Sequence, residues 1–364
     1  MARLSRKLGG GALLVSGGAM VAWLSAATPD KSDEAQRAAV TAIADRALAE
    51  MKRHYPEGAQ TFVRRDAHAK AHGCARARFS VVSDLPAELR VGSFATPGQE
   101  YRAWTRFSNG SFTPGDDTGL DGRGMALKIL DATSRGQTHD ILMINHPTFF
   151  SPDAVDYRDF AEAGALTGDL QGLRRYFLPS ANPFDWRVRQ AGIAYRIASA
   201  PISSPLTISY FSMAPFAFGP NQVIKYSVRP CSGNPPPSNE ERGPDFLRRE
   251  LSRGLVSSDA CFDLMVQLRK GSMPIDDLTV EWPQEEAPLR PVGRITLLRQ
   301  STDTPARDAF CESTVFNPWN APEVHAPLGS MNNVRRAVYD AISAYRKQRN
   351  GVIGIDPWSA WENL

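Results

Sequence analysis

Apolar positions change period along this chain. From Ser32 to Tyr55 they recur at helical spacing: Val40, Ile43, Ala47 and Met51 form a stripe, Ser32 can cap, and Asp33 and Glu34 sit in the first turn. This predicts a helical arm over 28–60. From about Arg64 the period falls to two. Arg76–Val81, Arg102–Phe107, Gly124–Leu130 and Thr138–Ile144 read as strands, and so do Leu206–Ser212, Gln222–Arg229, Phe262–Arg269 and Gly293–Arg299. Between the two groups, residues 158–198 hold two or three short helical pieces broken by Pro179 and Pro183. A polar, Pro-rich loop over 231–244 precedes a short helix, Asp245–Arg253, and residues 300–331 read as an irregular wrap. The last pattern is helical again. Over Asn332–Arg349, the residues Val334, Val338, Ile342 and Tyr345 share a stripe, with the Asn332–Asn333 pair as the expected N-cap. About eight strands with helices between them predict an antiparallel barrel or sandwich. No internal repeat is visible.

Composition adds boundaries. The 364 residues are 42% hydrophobic and 22% charged, which is ordinary for a globular chain with a large core. With 42 basic and 39 acidic residues the net charge is +3, so overall charge makes no case for nucleic acid or an acidic membrane surface. Arg3, Arg6 and Lys7 precede a charge-free stretch from Gly9 to Ala27 that ends in Ser25-Ala26-Ala27. Residues 1–27 therefore read as a signal peptide or an uncleaved signal anchor. Either way the chain is expected to be exported, periplasmic or anchored in the inner membrane facing the periplasm. Four cysteines, Cys74, Cys231, Cys261 and Cys311, permit disulfides in that compartment, with free buried thiols as the alternative. His72, His139 and His146 show no metal-ligand spacing, and His325 reads as a loop residue.

The last predicted helix carries the first chemical signal. Arg335 and Tyr339 are four apart and so lie one turn apart on the same side. A guanidinium beside a phenol favours the tyrosinate. Tyrosinate is one of the few side chains that hold haem iron. An Arg–Tyr pair is more often a solvated face or a packed ring, so the rest of the chain has to decide. No CxxCH is present, so any haem would lack thioether links.

Residues 64–80 read RRDAHAKAHGCARARFS. They resemble the distal-side motif of the haem catalase family, in which an Arg precedes the essential His by three and Ala-Lys follows it; here these are Arg65, His68, Ala69 and Lys70. The resemblance continues in order. TRFSNG (105–110) is similar to the family's Arg-Phe-Ser strand, and DGRGMALK (121–128) to its Arg-Gly-Phe-Ala-x-Lys segment, with Met125 for Phe. DILMINHPTFF (140–150) is similar to its Asn-x-x-Pro-x-Phe-Phe segment, and EWPQEEAPLRPVGRITL (281–297) to its Trp-Pro…Pro-Leu-x-Pro-Val-Gly stretch. FNPWNAP (316–322) resembles the loop before the ligand helix, and Arg335 and Tyr339 fit the Arg-x-x-x-Tyr motif.

The resemblance implies an α+β fold: a catalase-like antiparallel eight-stranded β-barrel over 61–300, a wrapping loop over 301–331 and a proximal helix over 332–350, with a tail over 351–364. Haem, of b type, would sit between barrel and helix. Tyr339 would be the iron ligand and Arg335 the cation that keeps it ionised. His68 would be the distal acid–base, oriented by Ser108, and Asn145 the distal amide. Arg65 and Arg106 would hold the propionates, and Tyr157 would be an aromatic over the haem face. A strict alignment, however, puts Ile144 where the distal Asn belongs and Asn145 one residue later, and Ala67 stands where the family has Val. The chain also ends soon after the ligand helix, without the family's long helical extension. This pattern resembles the shortened, exported catalase-related peroxidases. It implies reduction of hydroperoxides, often organic, at the cost of an unknown reductant, with weak or no catalase activity and room for a homodimer. Three alternatives remain open: rearrangement of fatty-acid hydroperoxides in the manner of allene oxide synthases, non-catalytic haem binding, and a barrel holding a small apolar ligand without haem.

Overall fold

In the computed structural model, residues 32–65, 67–351 and 355–364 are described; the leader or anchor expected over 1–27 lies outside them. Eight strands close a ring. β1 (Ala71–Val81), β2 (Glu100–Asn109), β3 (Arg123–Leu130) and β4 (Thr138–Ile144) pair antiparallel in sequence order. β5 (Tyr210–Phe211) joins β4 to β7 (Gln222–Pro230), and β8 (Ala260–Leu268) and β9 (Leu289–Leu297) lead back to β1. β6 (Phe216–Phe218) pairs only with β7 among these strands. Closure removes the free edges that an open sheet would expose.

Strand alternation sorts the side chains. One face of each strand points into a core that includes Ala75, Ala77 and Phe79 from β1, Met125, Leu127 and Ile129 from β3, and Phe262, Leu264 and Val266 from β8. Gly293 on β9 has to be glycine there, because a Cβ would lie 2.3 Å from the Phe79 ring. The other face of β2, β3 and β4 is read in three cross-strand rows: Ser108–Gly124–Ile144, Arg106–Ala126–Leu142, and Trp104–Lys128–Asp140.

Helices cover that outer face. α1 (Asp33–His54) is capped by Ser32 and buries Ala39, Ile43, Ala47 and Met51; Val40, expected on the stripe, is only partly buried. α2 (Ala154–Glu162), α3 (Leu170–Phe177) and α4 (Val188–Ser199) are the pieces expected between the strand groups. α5 (Phe246–Ser257) runs a turn beyond the expected helix. α6 (Pro305–Ser313) lies inside the stretch read as irregular; Thr304 caps it and Pro305 opens it. α7 (Ser330–Asn350) is the proximal helix. Its N-cap is Gly329 at φ 85°, and Asn332 is buried within it, bonding to Pro215 O and Leu328 O, so the Asn pair is not the cap. α8 (Pro357–Asn363) forms in the tail. The expected strand over Leu206–Ser212 shrinks to two residues, because Thr207 folds back on Ser204 in a turn.

The cysteines are paired as Cys74–Cys311, which ties β1 to α6, and Cys231–Cys261. His139 and His325 stack with ring centroids 4.8 Å apart against Ser93 and Tyr226. Among the described residues, no group of His, Cys, Asp and Glu is arranged to hold a metal, and no helix is long and apolar enough to cross a membrane.

The third row fixes α7 to the barrel. Lys128 Nζ lies 2.7 Å from both oxygens of the fully buried Asp140. Asn317 N and Asn320 Nδ2 donate to Asp140 Oδ2, at 3.0 and 3.1 Å. Trp319, in the same loop, donates to Asn332 O on α7 at 2.8 Å. Burial raises the Asp140 carboxyl above its ordinary value, and Lys128 opposes that rise. Asp140→Asn keeps the shape but leaves the ammonium without its counter-charge. Denaturant unfolding should show a loss of about 3–5 kcal/mol. A loss below about 1 kcal/mol would mean the pair is not what holds the loop.

Candidate active site

His68 stands just before β1 in a left-handed backbone conformation, φ 57°. Few non-glycine residues adopt it, and it is held from three sides. His68 N donates to Gly110 O at 3.2 Å, Ala69 N to Ser111 O at 3.2 Å, and Arg106 donates to His68 O at 2.7 Å. Ser108 Oγ lies 3.0 Å from Nδ1. A Cβ on Gly124 would fall 2.5 Å from Nδ1 and 2.6 Å from Cε1, so that edge of the ring rests on bare backbone. The Ser108–Gly124–Ile144 row is thus a seat for the imidazole. Burial, and then the charges of Arg106 and Arg335, push its pKa down to about 3. The ring is therefore a neutral base across the physiological range. Because the folded value is depressed, this histidine costs stability as pH falls below about 6.5, where the unfolded chain takes up the proton.

Three guanidiniums stand at one edge. Arg106 comes from the second row of β2. Arg65 caps the C-terminal end of α6, donating to Cys311 O, Glu312 O and Thr314 O. Arg346 on α7 donates to Val63 O and to Glu312 Oε1. Burial and then Arg106 lower Arg65 to about 9; burial lowers Arg106 to about 10. The Nε atoms of Arg65 and Arg106 are buried without a hydrogen-bond partner in the protein. Among the described residues, Glu312 is the carboxylate acting on both groups. The edge gathers buried guanidiniums with donor nitrogens to spare, which suits a carboxylate-bearing anion.

Opposite this wall lies α7. Arg335 and Tyr339 face the same cavity one turn apart, with Arg335 donating to Asn332 Oδ1 at 3.3 Å. About 740 Å³ of space, part of it open to solvent, lies between His68, Ser108 and Gly124 on one side and Tyr339, Ile342 and Ser343 on the other. It is contiguous through Ala67, His68, Ile144 and Tyr339 with a larger, mostly apolar space of about 1820 Å³, walled by α1, α2, α3 and α4.

One cavity thus brings together His68, Ser108, Arg65, Arg106, Arg335 and Tyr339. Tyr157 lines the larger space, packed among Phe149, Phe150 and Phe160. Asn145 does not join them, which corrects the expectation of a distal amide. Strand alternation gives the cavity face to Ile144; Asn145 Oδ1 accepts from Arg123 N and its Nδ2 donates to Ile197 O, both at 2.9 Å. Two participants went unread in the sequence. Arg346 lies seven residues, two helical turns, after Tyr339, a spacing that was legible. Gly124 as the bed of the imidazole was not, because it depends on strand register.

A family model described as Catalase matches residues 23–170. Catalase HPII of Pseudomonas aeruginosa is 29% identical over 264 residues, covering 64% of this chain and 35% of that protein. A catalase of the Onchocerca volvulus endobacterium is 26% identical over 311 residues, covering 79% and 62%. The chain spans between about a third and three-fifths of the length of these relatives. A fungal catalase structure superposes with TM-score 0.63 at 21% identity over 84% of this chain and 61% of that one, and catalase A from Saccharomyces cerevisiae with 0.62 at 20% over 83% and 63%. The fold is that of catalases, and residues 23–170 resemble the catalase family model. Catalases bind haem b, and the residues of this cavity fit it. A phenol on α7 and an imidazole beside the barrel line one cavity, and two buried guanidinium nitrogens without a hydrogen-bond partner belong to arginines that line it, fit to receive propionates.

Gly124→Ala tests the imidazole seat. The added methyl has to displace His68. At equal haem content, peroxide consumption should fall about tenfold or more, the effect of misplacing a proton-transfer group. An unchanged rate would show that the ring does not rest there.

Proposed function

We propose that this chain is a haem-dependent peroxidase that reduces hydroperoxides, organic ones in preference to hydrogen peroxide, with weak or no catalase activity. The observation that carries this reading is the distal side. Ile144 lines the cavity beside His68, Asn145 is turned away, and the space continues into the large apolar cavity. Holding a second hydrogen peroxide for rapid dismutation calls for a distal polar pair, whereas an apolar wall favours an alkyl hydroperoxide.

The chain's own residues supply the proton path. His68, neutral and oriented by Ser108, would take the proton of a bound hydroperoxide and return it to the leaving oxygen, which would depart as an alcohol or as water. Arg65, Arg106 and Arg346 would hold the propionates, and Tyr339, with the Arg335 cation one turn away, would bind the iron. Bound haem supplies the redox chemistry of O–O cleavage, and an external reductant restores the electrons. The left-handed backbone at His68 supports catalysis over inert haem binding, since strain of this kind clusters at functional sites. Both disulfides support an exported enzyme working in an oxidising compartment.

Holoprotein given hydrogen peroxide should evolve little oxygen. It should consume cumene hydroperoxide when a phenolic reductant is present, and His68→Ala should slow this by ~10²–10⁴-fold. Rapid oxygen evolution would contradict the peroxidase reading. Consumption of a fatty-acid hydroperoxide without any reductant would favour rearrangement, and indifference to His68→Ala would favour inert binding.

A further inference from the structure

The helical pieces between the strand groups have two faces. Inward, Leu173 of α3 and Ala194 and Ile197 of α4 line the large apolar cavity. Outward, Leu170, Leu178, Phe184, Trp186, Val188 and Tyr195 are exposed, Phe184 by 95% and Leu170 by 81%. Scattered exposed apolar residues need no explanation, but six within one short segment do. The segment is also basic. From Leu170 to Arg196 it carries Arg174, Arg175, Arg187, Arg189 and Arg196 against a single acid, Asp185. Five minus one gives +4, more than the +3 of the whole chain. Arg187 is paired with Asp156 and Asp159 on α2; Arg174, Arg175, Arg189 and Arg196 are exposed, with Arg175 donating to Ala163 O and Arg189 to Thr279 O.

We propose that α3, α4 and the turn between them form a docking surface for an anionic lipid bilayer, and that docking sets the cavity mouth against the membrane so that acyl-chain hydroperoxides enter from it. An exposed Phe and Trp with Leu and Val in the same basic segment is the chemistry of interfacial insertion. The turn from 183 to 185 puts Phe184 at the tip, where it touches no core cluster. Leu120, 69% exposed and also lining the cavity, marks a place where the cavity reaches solvent. Leu173, Ala194 and Ile197, on the inner sides of the same two helices, share that cavity with His68, so the segment that docks also forms part of the cavity wall. Charge complementarity selects the occupant: a second copy of this chain would bring the same positive face. The delivery step rests on the peroxidase reading; the docking does not.

The test uses the full-length holoprotein with Ala181→Cys, an exposed position in the turn, labelled with an environment-sensitive nitrobenzoxadiazole. All four native cysteines are in disulfides, so the label goes to one site. An apolar N-terminus could carry the whole chain to lipid, so the label, and not sedimentation, is the readout. Vesicles of phosphatidylcholine with phosphatidylglycerol should blue-shift the emission and expose it to quenching by doxyl lipid, more strongly than phosphatidylcholine alone. Phe184→Asp with Trp186→Ser should weaken the response about tenfold or more. The same double variant should lose turnover of vesicle-borne acyl hydroperoxide while keeping that of cumene hydroperoxide in water. No response to either vesicle, a response brought on by raising protein concentration without lipid, or equal loss with both substrates would overturn the proposal. If the parent chain turns over no hydroperoxide at all, the peroxidase reading fails and the fluorescence alone decides docking.

Discussion

Buried guanidinium charge gathered at one cavity edge is the constraint on which the site depends. Arg65, Arg106 and Arg346 converge on one cavity edge, with Glu312 as the carboxylate beside them. Desolvating several guanidiniums near one another is costly unless an anion joins them. Each is also committed to structure: Arg65 to the end of α6, Arg106 to the His68 carbonyl, Arg346 to Val63 and Glu312. An anionic cofactor bound here would neutralise the cluster and at the same time lock together the segment before β1, the barrel wall, α6 and α7.

The same geometry sets the chemistry. Three rows across β2, β3 and β4 divide the labour: one seats the imidazole, one faces the flat gap, and one anchors the loop leading into α7. The two halves of the site come from opposite ends of the chain, and the Asp140–Lys128 pair with Trp319 holds them at a fixed separation. At the far end of α7, Tyr345 donates to Tyr55 O at 2.7 Å and Arg349 to the same carbonyl at 2.8 Å, so α1 fixes the helix as well. Displacement of α7 would therefore move Tyr339 relative to His68 without touching either residue.

Much of this was legible before any coordinates. Period-two runs gave β2, β3, β4, β7 and β8 to within two residues but began β1 five and β9 four residues late, and ordered motifs placed His68, Ser108, Arg106, Arg335 and Tyr339 on one site. What escaped has physical causes. α6 hides in a Pro-containing stretch whose only signals are Thr304 and Pro305. β5 is two residues long, too short for any periodicity, yet it closes the ring. The fate of Asn145 turns on the parity of a single strand position. Gly124 has no side chain to advertise its part, and the outward aromatic face of the α3–α4 segment shows only once burial is known.

The central claim is a haem whose iron is bound by the phenol of Tyr339 and faced by His68. The most direct measurement is the ultraviolet–visible spectrum of purified holoprotein beside Tyr339→Phe at matched haem content. The account predicts a high-spin ferric tyrosinate spectrum in the parent chain that is lost in the variant. Identical spectra from the two proteins would contradict it.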